Sequence, residues 1–371
     1  MNLFLTAALS ATLSLPAPPT TVPTSDWTQT GYGPGLTYYN PHEEGLTPES
    51  IDAVGQRWEI PTHGAPECEV GREPLAGNGR IYTSDPGGIG AYDPATGARR
   101  WHVNLPRRGV TRMAVSEGIL ATLTYACDNQ HSYLTAYRAT TGQRIWEIAL
   151  GAPTQDMIVD RGVIVVDTRP DFETSTVAHR LGTGARMWKL FGTRGDGLLS
   201  AQGRILLRTA GEGSRAVDVK TGTTIWRTPE DWYAVGSNPS GSRFYIGGRN
   251  GGLTAIDSAN GNVAWQSTWP ARSVTVDDQR VYFPRYRSTI CLDATTGRKL
   301  WSVHLPDTAG QPVRAGRLLY SPSGMGHPLS IVDAVTGQAK KGGMPSSENY
   351  PPTVAGGRLF LTDGNRLRAY F

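Results

Sequence analysis

The sequence predicts an all-β fold, an eight-bladed β-propeller made of four-stranded antiparallel blades. Three observations support this prediction. An eleven-residue box recurs seven times without an insertion, its spacing stays between 36 and 45 residues, and glycine accounts for 45 of the 371 residues. A period near 40 residues is typical of one propeller blade. The many glycines and 26 prolines indicate short strands joined by tight turns, which excludes an all-helical chain.

The N-terminus differs from the rest of the chain. Residues 3–15 form an apolar stretch that is too short to span a bilayer but suits the apolar region of a secretory signal. A Pro- and Thr-rich tether follows, so we expect a leader and tether over residues 1–26 and a single propeller domain over 27–371. Because the first lysine or arginine is Arg57, a disordered apolar leader stays open as the alternative. We expect a secreted or extracytoplasmic monomer.

Two short elements precede the first blade. Residues 46–54 predict a helix with Thr47 as its N-cap and Pro48 at its first position. The following strand, Gln56–Ile60, resembles an outer blade strand without a blade of its own. The chain ends at Phe371 with two middle strands and no outer strand. We therefore predict that the N-terminal strand pairs with the C-terminal blade and closes the ring, which removes exposed sheet edges.

The repeated box reads small, x, Asp, x, x, Thr, Gly, x, x, x, Trp and predicts a β-hairpin. Asp and Thr can bond the backbone of the turn, and glycine supplies its positive φ. The box glycines are Gly97, Gly142, Gly184, Gly222, Gly261, Gly297 and Gly337. Six boxes end in tryptophan, at Trp101, Trp146, Trp188, Trp226, Trp265 and Trp301, and the seventh ends in Lys341.

A second hairpin signal with a turn glycine precedes most boxes, so each blade has strands A to D from the axis outwards. The A–B turns and the C–D box turns share one face, which we call the turn face. The B–C and D–A connections share the other, the loop face, and only there do the connections vary in length. Loops on a rigid scaffold often carry recognition.

Aromatic and arginine residues, which are enriched in binding hot spots, are prominent on the loop face. The alternative interpretation is that they cap the central channel, with arginine maintaining solubility. The candidate binding residues are Phe172, Trp232, Tyr233, Trp269, Arg272, Arg285, Tyr286 and Arg287.

The box resembles the repeat of the pyrroloquinoline quinone (PQQ)-type propeller family. This family includes quinoprotein alcohol dehydrogenases and a non-enzymatic secreted branch that contains the outer-membrane barrel-assembly lipoprotein. The resemblance extends from about residue 36 to residue 371. It implies that the six box tryptophans dock each blade against its neighbour.

The same resemblance implies how a quinoprotein enzyme would look. Such enzymes have a disulfide between adjacent cysteines over the quinone, a calcium ion and a catalytic Asp. Here the three cysteines, Cys68, Cys127 and Cys291, are never adjacent. The oxygen-rich pairs Asp128-Asn129 and Asp277-Asp278 fall where hairpin turns are expected. We therefore predict no catalytic residue, no cofactor and no metal site, with a PQQ-dependent oxidoreductase as the alternative.

The cysteines allow one structural prediction. If the protein is exported, Cys68 and Cys127 could form a disulfide between the N-terminal region and blade 2. Cys291 replaces the small first residue of a box and is expected to be buried.

Charge and composition limit the partners. The formal net charge is +4, which is too weak for a nucleic-acid footprint on a chain of this size. We predict a non-catalytic scaffold that binds a protein or a cell-envelope polymer through its loop face. An extracellular ligand-sensing module is a further alternative, and the sequence does not name the partner.

Overall fold

The computed structural model describes residues 25–62, 73–129, 131–168, 174–195, 197–247, 251–324, 326–340, 344–345, 350–363 and 365–371. The predicted leader, Lys341, Cys68 and Phe172 lie outside these ranges. Within them the chain forms eight sheets, each of them one blade of a propeller.

The strands are numbered in chain order. Before the first blade lie β1 (Tyr39–Asn40), a 3₁₀ helix (Ile51–Ala53) and β2 (Gln56–Pro61). Blade 1 contains β3 (Leu75–Gly77), β4 (Arg80–Asp85), β5 (Gly88–Tyr92) and β6 (Arg99–Asn104). Blade 2 contains β7 (Arg108–Ser116), β8 (Ile119–Ala126), β9 (Ser132–Arg138) and β10 (Arg144–Ala149). Blade 3 contains β11 (Thr154–Asp160), β12 (Val163–Thr168), β13 (Ser175–Arg180) and β14 (Arg186–Phe191).

Blade 4 has an interrupted inner strand, since β15 and β16 both pair with β17. Its strands are β15 (Thr193–Arg194), β16 (Ser200–Ala201), β17 (Arg204–Thr209), β18 (Gly213–Asp218) and β19 (Thr224–Thr228). Blade 5 contains β20 (Tyr233–Ser237), β21 (Arg243–Gly247), β22 (Thr254–Asp257) and β23 (Val263–Gln266). Blade 6 contains β24 (Thr275–Val276), β25 (Arg280–Arg285), β26 (Ser288–Asp293) and β27 (Lys299–His304).

Blades 7 and 8 both use the N-terminal part of the chain. Blade 7 contains β28 (Val313–Ala315), β29 (Leu318–Ser321) and β30 (Ser330–Asp333), and β1 pairs parallel to β28 at its inner edge. Blade 8 contains β31 (Thr353–Ala355), β32 (Arg358–Asp363), β33 (Arg366–Tyr370) and β2 as its outer strand. In this outer pair Gln56 lies opposite Tyr370. The predicted eight-bladed ring and its closure by the N-terminal strand are confirmed.

The predicted helix over residues 46–54 is wrong in extent. Only Ile51–Ala53 form a 3₁₀ turn, and the chain becomes extended at Val54 so that β2 can reach β33. The N-cap of this turn is Ser50 and not Thr47, whose Oγ1 instead accepts hydrogen bonds from the amides of Glu49 and Ser50 in the preceding turn.

The core lies between neighbouring blades. All six residues of β12 are buried, whereas the outer strand β14 has no fully buried residue. Strand B of this blade is therefore buried on both faces, as expected of a sheet packed on two sides.

The N-terminal segment, residues 25–46, is the main feature that the sequence did not predict. It runs across the inner strands of all eight blades at their turn-face ends. The hydrogen bonds, in blade order, run from Ala76 N to Trp27 O, Val115 N to Thr28 O, Val159 N to Gln29 Oε1, Ser200 N to Pro34 O, Ser237 N to Gly35 O, Val276 N to Thr37 O, Arg314 N to Tyr38 O and Asn40 Nδ2 to Val354 O.

Candidate docking face and inter-blade contacts

Each of seven outer-strand tryptophans contacts the box glycine of the following blade. The pairs are Trp58–Gly97, Trp101–Gly142, Trp146–Gly184, Trp188–Gly222, Trp226–Gly261, Trp265–Gly297 and Trp301–Gly337. In every pair the indole Nε1 also donates a hydrogen bond of 2.8–3.1 Å to a main-chain carbonyl of that next box. The contact thus combines aromatic packing with a satisfied polar atom.

Replacing any of these glycines by a residue with a side chain would force the neighbouring indole or the backbone to move. Their φ angles are +70° to +79°, and a Cβ would lie 2.5–3.0 Å from the indole. Trp58 is the member that the sequence analysis did not include among the docking residues. The sequence signal was present, because Arg57-Trp58-Glu59-Ile60 repeats the pattern around Trp146.

The junction between blades 7 and 8 is built differently, since blade 8 has no box turn. Here Asn40, which is fully buried, accepts a hydrogen bond from Gly316 N of blade 7 at 3.0 Å and donates one to Val354 O of blade 8 at 2.8 Å. The buried Glu43 accepts from Gly357 N of blade 8 at 3.0 Å. We call Asn40 and Glu43 the N-terminal clasp.

An ionisable cluster lies beside the N-terminal segment. Arg112 Nε lies 3.1 Å from Asp156 Oδ1, and Asp156 Oδ2 accepts from Leu198 N at 2.8 Å. Burial raises the pKa of Glu73 to about 7, although a hydrogen bond from Thr30 and the charge of Arg112 oppose this shift. The cluster therefore contains one carboxyl group that titrates near neutral pH.

On the loop face, the structure brings several candidate residues together at blade 6. Trp269 lies between two cations, with Arg285 Cζ 4.9 Å and Lys299 Nζ 5.5 Å from its ring centroid. Arg285 also lies 6.0 Å from the ring of Tyr286. Arg272 and Arg287 are exposed nearby in the chain, and Arg287 donates to the carbonyl of Pro306. We call Trp269, Arg272, Arg285, Tyr286 and Arg287 the blade-6 cluster.

Tyr286 combines exposure with a fixed backbone. Its side chain is 82% exposed, its φ is +49°, and its carbonyl accepts a 2.6 Å hydrogen bond from Ala309 N. A non-glycine residue rarely adopts positive φ, and such strain is often found at functional sites. The turn therefore presents an aromatic ring to solvent at a defined position.

The other two aromatic candidates are packed rather than presented. Trp232 forms an edge contact with Trp226 at a centroid distance of 6.2 Å, and its amide donates to Ser214 Oγ. Tyr233 packs against the core between blades 5 and 6. These residues support the scaffold, as does Trp269, which packs against the same core as Tyr233, whereas Arg272, Tyr286 and Arg287 of the blade-6 cluster are exposed.

A cleft of about 430 Å³ lies between blades 1 and 2, with Val103, Leu105 and Tyr137 among its walls. Its charges are paired within the cleft, since Arg108 bonds Glu147 at 2.8 Å and stacks 3.8 Å from the ring of Tyr133. Burial acts to raise the pKa of Glu147, but the hydrogen bond and charge of Arg108 outweigh it and hold that pKa below its usual range.

The oxygen-rich pairs of the sequence are occupied by other contacts. Among the residues that the structure describes, no three His, Cys, Asp or Glu side chains come together. Asp277 is committed elsewhere, because its Oδ1 accepts from the amides of Gln279 and Arg280 and its Oδ2 is paired with Arg314. Asn129 likewise holds a turn by accepting from His131 N.

The cysteines have different environments. Cys127 is disulfide-bonded, whereas Cys291 is a buried free thiol whose pKa is raised by burial. Cys68 lies outside the described residues, so its pairing with Cys127 stays a prediction.

Comparison with known proteins agrees with this architecture. The structure of BamB from Moraxella catarrhalis superposes with a TM-score of 0.64 at 16% identity, covering 85% of this chain and 97% of that one. Quinohemoprotein alcohol dehydrogenase from Comamonas testosteroni gives 0.67 at 13% identity, covering 93% and 80%. The computationally designed Ika8 protein gives 0.66 at 12% identity, covering 85% and 100%. A search of curated proteins found no match.

The blades and their tryptophan contacts define a PQQ-like β-propeller. The sequence matches the family described as outer membrane protein assembly factor BamB over residues 85–338 and 249–370. The chain belongs to this family. No helix in the described ranges is long and apolar enough to cross a membrane.

Proposed function

We propose that the protein is a non-catalytic, extracytoplasmic scaffold that binds a protein partner through its loop face at the blade-6 cluster. The family is named for an assembly factor of the outer membrane, which supports a protein partner and a location in the cell envelope. A propeller fold does not itself assign a function, so the proposal depends on the site.

The observation that carries the proposal is the presentation of Tyr286. Tyr286 is 82% exposed and its carbonyl is hydrogen-bonded to Ala309 N, so the main chain of this turn needs little further ordering when a partner covers the ring. The flanking arginines add the residue types that dominate interface energetics. Trp269 has its ring faces near Arg285 and Lys299, so it supports the cluster while Tyr286 remains available for contact.

Site-specific photocrosslinking tests this function. A benzophenone amino acid replaces Tyr286 in one variant and Phe191, 62% exposed on the outer strand of blade 3, in a control variant. We expect a discrete protein adduct in the native envelope from position 286 and none from position 191. Adducts of equal yield from both positions, or none from position 286, would refute the proposed docking face.

The same purified chain addresses the oxidoreductase alternative. A ligand that binds the folded state raises the melting temperature. Because we expect no binding of PQQ and calcium, titration with them should leave the melting temperature unchanged. A clear increase accompanied by reduction of a dye with alcohols would show an enzyme instead.

A further inference from the structure

The turn face carries arginines around the ring. Seven of the eight blades have an arginine at the A–B turn or at the first residue of strand B, and these residues form what we call the arginine ring: Arg80, Arg161, Arg204, Arg243, Arg280, Arg317 and Arg358. The acidic residues of the same turns are Glu117, Asp278 and Asp277, and Asp277 is neutralised by Arg314.

Most of these arginines do not meet a carboxylate in the described part of the chain. Arg317 is the exception, since it lies 3.1 Å from Asp333. Five others donate to neutral acceptors: Arg80 to Asn78 O, Arg204 to Gln202 Oε1, Arg243 to Ala294 O, Arg280 to Gln279 Oε1 and Arg358 to Gly356 O. The guanidinium of Arg161 packs over Gly203 in the A–B turn of the next blade.

The box turns do not cancel this charge. Five box aspartates lie on the turn face, at Asp93, Asp218, Asp257, Asp293 and Asp333. Five basic residues of the same turns balance them, at Arg100, Arg138, Arg180, Lys220 and Arg298. Carboxylates of the N-terminal part of the chain also lie on this face, with Asp26 beside the A–B turn of blade 1 and Glu43, Glu44, Glu49 and Asp52 on the run that passes the A–B turn of blade 8. The excess positive charge of the arginine ring therefore lies mainly in the sectors of blades 3 to 6, at Arg161, Arg204, Arg243 and Arg280.

The chain enters the propeller on this face. The amide of Gly356, in the A–B turn of blade 8, donates to Ser25 Oγ at 3.0 Å, and the amide of Asn78, in that of blade 1, donates to Asp26 Oδ2 at 3.4 Å. The 24 residues that precede Ser25, with their apolar stretch 3–15, are therefore joined to the ring at its turn face.

We propose that the turn face rests on an anionic lipid surface. The arginines lie in different blades around the propeller axis, so a partner must contact several blades at the same time. A flat bilayer can do this, whereas a narrow polymer cannot. Arginines close to an anionic bilayer each strengthen binding, and their contributions accumulate. The blade-6 cluster lies on the opposite face and would point away from the lipid.

Vesicle co-sedimentation of the full chain tests this proposal. The vesicles contain either phosphatidylcholine alone or 30% phosphatidylglycerol, each at 50 and 300 mM NaCl. We expect binding that requires phosphatidylglycerol and falls steeply with salt. The triple variant Arg204→Gln, Arg243→Gln, Arg280→Gln should bind about 100-fold more weakly, at roughly fivefold per arginine.

A charge-matched control uses the loop face. The triple variant Arg107→Gln, Arg272→Gln, Arg287→Gln removes the same charge and should retain binding. Equal losses in both variants, equal binding to both vesicle types, or tighter binding to a 20-base-pair DNA duplex than to the anionic vesicles would overturn the proposal. Circular dichroism and melting temperature confirm that each variant is folded. The photocrosslinking at position 286 is unaffected by these outcomes, so the two proposals can fail separately.

Discussion

At the scale of single residues, the box glycines allow close contact with the tryptophan of the neighbouring blade. Gly222 has φ +70° and faces the Trp188 indole, whereas Gly211 has φ +73° and faces open space. The sequence predicts the positive φ of a box glycine from the turn pattern. It does not predict the tryptophan contact from the box alone, because that partner belongs to a different repeat.

The pair Gly222 and Gly211 gives a matched test of this contact. Gly211→Ala should cost about 1 kcal/mol, since it adds only the strain of a side chain at positive φ. Gly222→Ala should cost about 3 kcal/mol, because its Cβ also displaces Trp188. Denaturant unfolding measures both values, and equal losses would show that the indole contact contributes little.

Glu73 predicts a pH-dependent stability. Burial raises its pKa from 4.5 to about 7, so the folded state favours the protonated form. The stabilisation is complete below about pH 4.5, is lost as pH rises towards 7, and stays lost above it. We expect Glu73→Gln to unfold at a higher temperature than the parent chain at pH 8, by up to about 3 kcal/mol in stability, and to differ little at pH 4.5. An identical difference at both pH values would contradict the role of this carboxyl group.

At the scale of elements, the blades were predictable and the N-terminal segment was not. A box repeated seven times supplies period, turn chemistry and strand order together. Residues 25–46 have no such repeat, and they reach the inner strands mainly through main-chain hydrogen bonds, which any sequence can form. The blade-6 cluster was predicted as part of a wider set, since sequence does not show which loop aromatics pack inwards.

The N-terminal clasp predicts where the ring is weakest. Asn40→Ala removes the donor to Val354 O and leaves a buried carbonyl without its partner, at a cost of about 1–3 kcal/mol. Hydrogen exchange should then accelerate in β28 and β31, on either side of the junction between blades 7 and 8. Asn238→Ala, which removes hydrogen bonds to Ser240 and Ser242 in a turn of blade 5, serves as the control. Uniform acceleration in all blades would argue against a local seam.

At the scale of the whole molecule, the fold alone does not separate the functions that share it. An assembly factor, a quinohemoprotein dehydrogenase and a designed protein all superpose on this chain. These functions differ in which side chains are free to bind a cofactor or metal and in which residues are exposed on the surface. Asp277 and Asn129 are occupied by turn hydrogen bonds, whereas Tyr286 is exposed to solvent.

The Cys68–Cys127 prediction also belongs to the whole molecule, because a disulfide would link residues 59 positions apart in sequence. Mass spectrometry of a non-reduced digest should recover a peptide pair containing both cysteines. Reduction should then lower stability by about 2–4 kcal/mol. Recovery of Cys68 as an alkylated thiol from the non-reduced protein would contradict the pairing.

The closure of blade 8 has a consequence for synthesis of the chain. Gln56 and Tyr370 are 314 residues apart, so β2 leaves the ribosome long before its partner strand exists. At about 5–20 residues per second, the delay is roughly 15–60 s. During that interval β2 is unpaired. The N-terminal clasp also lacks its hydrogen-bond partners in blade 8, Val354 and Gly357. Completion of the propeller therefore waits until β33 has emerged.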